Sequence, residues 1–217
     1  MLEDLRANSW SLRPCCMVLA YRAAHFCSVW RKKNVLNNLW AAPLLVLYRI
    51  ITECFFGYEI QAAATIGRRF TIHHGYAVVI NKNVVAGDDF TIRHGVTIGN
   101  RGADNMACPH IGNGVELGAN VIILGDITIG NNVTVGAGSV VLKNLPANCT
   151  AVGVPAEVVR INNKAINPAD DLDQQDLPDI MAQRLIDLDR RIGQLEKAAQ
   201  GDIPPTAQQV AARQRKH

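Results

Sequence analysis

The sequence has 217 residues, 48% of them hydrophobic and 19% charged, with a net charge of +3. That is enough chain for one cored domain with appendages, too apolar for a disordered polymer, and too nearly neutral for a nucleic-acid binder, which needs a basic stripe interleaved with aromatics. Six cysteines (Cys15, Cys16, Cys27, Cys54, Cys108 and Cys149) form no C-x-x-C pair and no zinc spacing, so free thiols in a reducing cytoplasm are expected.

Composition divides the chain into three. All three tryptophans (Trp10, Trp30, Trp40) fall in the first forty residues, and fifteen of the seventeen glycines lie between Gly57 and Gly153. Residues 1–57 read as helices. One runs through 15–30, with Arg31-Lys32-Lys33 suited to the negative end of its dipole, and a second starts at Pro43 ahead of Leu44 to Phe56. The longest apolar run, Leu39 to Leu47, is about half a membrane span, so no bilayer crossing is expected, and no signal peptide is recognisable. Seven Lys/Arg against three Asp/Glu in residues 1–58 make this region locally basic.

Residues 58–161 carry an internal period. An aliphatic residue recurs every six positions at Ile111, Leu117, Ile123, Ile129, Val135 and Val141. The frame continues upstream through Ile60, Ile66 and Ile72 and again through Ile80, Ala86, Ile92 and Ile98. Secondary positions hold Val84, Phe90, Val96, Val115, Val121, Ile127, Val133 and Ser139, with Gly, Asn, Asp and Ala between. Period six fits neither a helix nor an alternating strand. It fits a short strand and a tight corner, three sides to a coil, with coils stacked about 4.8 Å apart.

The frame breaks twice. Ile72 to Ile80 is two residues too long, beside His73-His74, and this slip stacks His74 near His94. Ile98 to Ile111 is one residue over two hexads, so 100–110 is expected to be a loop thrown out of the prism. Residues 150–161 are expected to form a final strand closing the open end. Residues 162–217 read as an acidic linker (Asp170 to Asp176), a helix with a short seam of Met181, Leu185, Leu188, Ile192 and Leu195, and a disordered tail from Gly201. The seam either docks in cis or meets symmetry mates.

The hexads identify the chain as resembling the hexapeptide-repeat acyltransferases, whose fold is a left-handed parallel β-helix. Gly57-Tyr58-Glu59-Ile60, Ile66-Gly67, His73-His74-Gly75, Gly95-Val96-Thr97-Ile98-Gly99 and Ala151-Val152-Gly153-Val154-Pro155-Ala156 resemble the serine acetyltransferase branch in particular. In that branch an acidic residue precedes the catalytic histidine by fifteen positions, as Glu59 precedes His74. Residues 1–142 are more similar still to acetyltransferases of colanic-acid-type exopolysaccharide biosynthesis. The resemblance implies acetyl-CoA as co-substrate, no metal, and a homotrimer.

The resemblance also assigns roles. His74 is the base, oriented by a hydrogen bond to Glu59, and a backbone N–H at Gly99 or Asn100 holds the oxyanion. CoA would lie along Gly118, Ala119, Gly136 and Ala137, with Lys143 and Arg160 near its phosphates. His73, His94 and Cys108 are candidate acceptor contacts. His94, His73 and His110 remain alternative bases, and Cys108 as an acyl carrier lacks a base at motif spacing. Three departures bear on the acceptor. His73 stands where serine acetyltransferases have Asp, Ala107 and Cys108 stand where they have Arg-His, and Glu59 replaces Asp. Groups that would clamp a zwitterion are missing, so a sugar hydroxyl is expected on a small or lipid-linked saccharide. The enzyme would be cytoplasmic, with peripheral contact to the inner membrane. Serine acetylation and a non-enzymatic β-helix scaffold are the alternatives.

Overall fold

The computed structural model describes residues 1–9, 11–31, 35–102, 106–162, 164–165 and 180–201. The chain divides into two compact units, Met1–Leu177 and Pro178–His217. The expected linker 170–176 and the tail beyond Gly201 lie outside the described residues.

Three helices come first: α1 (Leu2–Ala7), α2 (Leu12–Arg31) and α3 (Val35–Ile50). A π-helical turn, Ile51–Phe56, continues α3 and ends at Gly57, whose φ of 68° suits a residue without Cβ. The strands follow: β1 (Glu59–Ile60), β2 (Thr65–Ile66), β3 (Thr71–Ile72), β4 (Val79–Ile80), β5 (Val85–Ala86), β6 (Thr91–Ile92), β7 (Thr97–Gly99) and β8 (His110–Ile111). Then come β9 (Glu116–Leu117), β10 (Ile122–Leu124), β11 (Thr128–Ile129), β12 (Thr134–Val135), β13 (Val140–Val141), β14 (Cys149–Val152), β15 (Glu157–Ile161) and β16 (Lys164–Ala165). The second unit contributes α4 (Ile180–Gly201), on which Leu185, Leu188, Ile192 and Leu195 are exposed.

Every third strand stacks in register, giving a parallel β-solenoid of about four turns with hexapeptide repeats. Sheet A is β1-β4-β7-β10-β13, sheet B is β2-β5-β8-β11, and sheet C runs β3-β6-β9-β12-β14-β15-β16. Ile60, Ile80, Ile98, Ile123 and Val141 pair along sheet A, and Ile66, Ala86, Ile111 and Ile129 along sheet B. These are the hexad aliphatics. All are buried, as are the secondary positions from Val84 to Ser139. Each large aliphatic taken from water contributes roughly 1.5–3 kcal/mol, which is why one inward residue per side suffices to set the register.

An open coil leaves strand edges unpaired, and the two ends solve this differently. At the first coil, α1–α3 satisfy the backbone with side chains. Tyr48 donates to the Ile60 carbonyl at 2.7 Å, His25 Nδ1 to Ala62 at 3.0 Å and Tyr21 to Ala64 at 2.7 Å. Arg22 donates to the carbonyls of Ile66 and Gly67, Asn8 bonds Phe70 and Ile72, and the Phe70 N–H donates to Asp4 at 3.0 Å. Burial pushes the Tyr21 hydroxyl up to about 12 and also raises that of Tyr48, so both stay protonated donors. Asp4 and Arg22 form a paired fork at 3.0 and 3.2 Å. Burial acts to raise the Asp4 pKa, but the Arg22 hydrogen bond and charge, with the Phe70 N–H, outweigh it and hold the carboxyl below its ordinary value.

Three expectations need correction. Residues 150–161 form a hairpin, β14 and β15, paired antiparallel, not one closing strand. Pro43 lies inside α3 instead of starting a helix. Its ring removes only the bond to the carbonyl of Leu39, an exposed residue, and the helix stays anchored on either side of it by the buried Ala41 and Tyr48. Because α3 runs unbroken into the π-turn, Asn37–Phe56 is by length and composition long enough to cross a membrane, which the run Leu39 to Leu47 alone did not suggest. The described part of the expected loop 100–110 holds no strand before His110, where β8 begins, while 103–105 lie outside the described residues.

Candidate active site

Stacked coils turn each corner into a vertical edge. The edge between sheets C and A collects His73-His74-Gly75 from the first coil, Arg93-His94-Gly95 from the next, then Gly118-Ala119-Asn120 and Gly136-Ala137-Gly138. The His73 N–H donates to the Ile92 carbonyl (2.9 Å), the Asn120 N–H to His94 (2.9 Å) and the Gly138 N–H to Ala119 (2.8 Å), which locks the corners one above another. The expected base, two of its alternatives (His73 and His94) and four of the expected CoA contacts therefore share one edge, while the third alternative, His110, lies on β8 in sheet B.

His74 adopts φ 55°, a left-handed conformation, and its carbonyl accepts from the Tyr76 N–H across the two-residue slip. Gly75 packs so tightly that an added Cβ would sit 2.2 Å from Met17 Cε on α2. Arg13, also on α2, stacks its guanidinium 3.6 Å over the Tyr76 ring. The slip is thus held from below by α2, and His74 projects into solvent. Its ring stands edge-on to His94, with centroids 6.4 Å apart and planes at 69°. Among the described residues the side chains of His73, His74, Arg93 and His94 have no hydrogen-bond partner. The Arg13–Tyr76 stack was not foreseen, because nothing in spacing links an N-terminal helix to a corner sixty residues on.

Other expected site residues lie elsewhere. Gly99, Asn100 and Lys143 fall on the next edge, between sheets A and B, where Asn100 accepts from the Asn81 amide at 3.2 Å and Arg101 reaches the carbonyls of Leu124 and Leu142. Lys143 is exposed there. Glu59 opens β1, directly beneath the strand that the His74 corner leads into, since the Ala77 N–H donates to the Gly57 carbonyl at 2.7 Å. Its carboxylate does not bond His74 in this chain. It accepts from the neighbouring Gln61 amide at 3.1 Å, and it lines a cleft of about 220 Å³ with Arg49, Glu53, Gln61 and Lys82.

Cys108 is the clearest correction. Its side chain is 3% exposed and packs in the solenoid core, so it faces no acceptor, and burial pushes the thiol pKa up, away from nucleophilic use. All six cysteines are free thiols.

Comparison with known proteins meets this geometry. Residues 108–143 match the bacterial transferase hexapeptide family (six repeats). The chain is 92% identical over 158 residues, 73% of its own length and 98% of the relative's, to the Escherichia coli K12 protein named "Putative colanic acid biosynthesis acetyltransferase WcaB". It is 40% identical to the serine acetyltransferase of Bacillus pumilus, covering 83% of this chain and 82% of that one. Among solved structures, the Neisseria gonorrhoeae serine acetyltransferase superposes with a TM-score of 0.64 at 32% identity, over 79% of this chain and 67% of that one. The coenzyme A complex of the Brucella abortus serine acetyltransferase gives 0.58 at 33% identity, over 68% of this chain and 56% of that chain.

Proposed function

The chain belongs to the hexapeptide-repeat acetyltransferases, and from that premise we propose that it acetylates a sugar hydroxyl in exopolysaccharide biosynthesis of the colanic acid type. That it is an acetyltransferase using acetyl-CoA follows from its relatives. The acceptor class rests on one observation, the 92% identity to a relative whose name carries that pathway.

The thioester arrives activated, so the protein needs only a base and an oxyanion donor. His74 Nε2 takes the hydroxyl proton as the acceptor oxygen attacks the thioester carbonyl carbon. The C–S bond then breaks, and the same proton passes to the departing CoA thiolate. Exposure of His74 on an edge free of side-chain ladders supports this role, and small residues at Gly118, Ala119, Gly136 and Ala137 leave room for pantetheine along the same edge. In this reading Glu59 leaves Gln61 to orient His74, and His73 and His94 contact the acceptor. Gly99 or Asn100, each across sheet A from His74 in the same chain, supplies the oxyanion N–H from a neighbouring subunit. Lys143 sits one sheet-width away, so it serves the CoA phosphates best in a homotrimer, where neighbouring solenoids wall each groove. Sedimentation of an active monomer would end the trimer reading. Truncation after Ala165 is expected to leave the trimer intact. The enzyme works in the cytoplasm, with peripheral contact to the inner membrane that carries lipid-linked acceptors.

Serine is the second reading, favoured by the serine acetyltransferase relatives. Against it stand His73 and Ala107 at the positions of the expected clamp and Cys108 turned into the core. Each lost charge-assisted contact is worth roughly 1.5–3 kcal/mol, so serine turnover should fall two or more orders of magnitude below a true serine acetyltransferase. The test is thiol release from acetyl-CoA with L-serine and with fucosyl, galactosyl and glucosyl acceptors. Efficient serine turnover without saccharide activity would reverse the assignment.

A further inference from the structure

The largest feature that acetyl transfer leaves unused is the outer surface of α2 and α3. Leu39, Trp40, Leu44, Leu47 and Ile50 are all at least half exposed, Trp40 by 70%. At 100° per residue, with Val46, they cover about half the circumference of α3. Phe26, Val29 and Trp30 of α2 and Phe55 of the π-turn are exposed as well. Only 17% of the apolar window in Asn37–Phe56 is buried, so this is not the core helix of a folded domain. An apolar surface of this extent on a folded chain marks a partner or a membrane.

Two observations choose between spanning and lying flat, and between lipid and protein. The opposite face of α3 is committed. Ala41, Tyr48 and Thr52 are buried, and the Tyr48 hydroxyl holds the Ile60 carbonyl of the first coil at 2.7 Å. The helix cannot stand upright in a bilayer without uncapping the solenoid, whereas lying in the plane it keeps that contact. Charge selects the occupant. Residues 1–58 hold seven Lys/Arg against three Asp/Glu. Asp4 pairs with Arg22 and Glu53 with Arg49, which leaves the positive excess on Arg6, Arg13, Arg31, Lys32 and Lys33, with Arg31 exposed at the end of α2. Two copies pairing through the face would bring like charges together, while anionic headgroups complement them. Exposed tryptophans suit the same interface, their rings seated at headgroup depth.

We propose that α3, with the C-terminal half of α2, inserts its face centred on Trp40, Leu44 and Leu47 into an anionic lipid surface with its axis in the membrane plane. The docking deepens the membrane contact proposed above and rests on that reading for its purpose, since the π-turn leads from the docked helix straight into β1 and Glu59. Its test needs no acceptor. The full chain is floated with vesicles of phosphatidylcholine alone and of phosphatidylcholine with phosphatidylglycerol, at low and high salt, while tryptophan emission is recorded. Flotation with the anionic vesicles and a blue-shifted emission are expected, with binding weakened but not abolished by salt. The double variant Trp40→Gln/Leu47→Gln should lose about tenfold or more in vesicle affinity, with thiol release unchanged, and Trp40→Phe should keep binding. Failure of the chain to float with either vesicle overturns the proposal. So does undiminished flotation of the double variant, or a doubled solution mass that the double variant abolishes in a chain that does not float. Vesicle binding by an enzyme that acetylates only soluble serine would leave the docking standing and remove the lipid-linked acceptor.

Discussion

Two edges of the same solenoid obey one backbone rule and carry opposite side-chain economies. Along the B–C edge, corner side chains bond the next coil. Arg68 pairs with Asp88 at 3.0 Å and Arg69 with Asp89 at 2.6 Å, the Asp88 N–H donates to Asn113 at 2.8 Å, and the Asn113 N–H donates to Asn131 at 2.8 Å. The Arg68 N–H and guanidinium hold the Asp88 carboxyl below the usual range. Along the C–A edge the equivalent positions hold His73, His74, Arg93 and His94, whose side chains bond no neighbour among the described residues, followed by Gly and Ala. In a repeat, corners that stack their side chains are structural. A corner that leaves imidazoles unpaired has kept them for something outside the chain.

The sharpest way to break this contrast is His74→Ala. Loss of a general base is expected to reduce acetyl transfer by roughly 10²–10⁴ with the fold unchanged by circular dichroism. Near-full activity would move the base to His94 or His73. A second test removes what holds the coil from which both edges start. Asp4→Ala strands Arg22 and the Phe70 N–H in a buried site and should lower unfolding stability by about 3 kcal/mol. The pH dependence follows from the same pair. The folded pKa of Asp4 lies below its unfolded value near 3.9, so its contribution is complete above the unfolded value and fades as pH falls through the folded one. Urea midpoints taken across that acid window should converge for wild type and Asp4→Ala. The smallest effect tests the ladder edge: Asn131→Ala should cost about 1 kcal/mol in urea unfolding and leave activity intact, because it loses one corner bond far from the histidines. A large activity loss there would erase the distinction between the edges.

Much of this was readable in advance, and the reason is the repeat. One aliphatic per six residues admits a single inward register, so Ile60 through Val141 fall where the spacing puts them. The meeting of His74 and His94 follows from one coil plus the two-residue slip. What the repeat does not constrain stayed hidden. Asn8, Asp4, Tyr21 and Arg22 cap the first coil through pairings some forty to sixty residues apart, with no period to announce them. Cys108 sits where the frame is broken, so its inward turn had no register to predict it. Glu59 has the right spacing to His74, but spacing does not say which neighbour a carboxylate bonds, and Gln61, two residues away, is the partner.

The central claim is that the C–A edge is where CoA lies. Carbethoxylation of histidines, followed residue by residue by mass spectrometry with and without CoA, tests it with a control built into the chain. His110 is exposed on β8 in sheet B, away from that edge. CoA is predicted to slow modification of His74 and His94 while His110 reacts at its own rate. Protection of His110 with none at His74 would contradict the account.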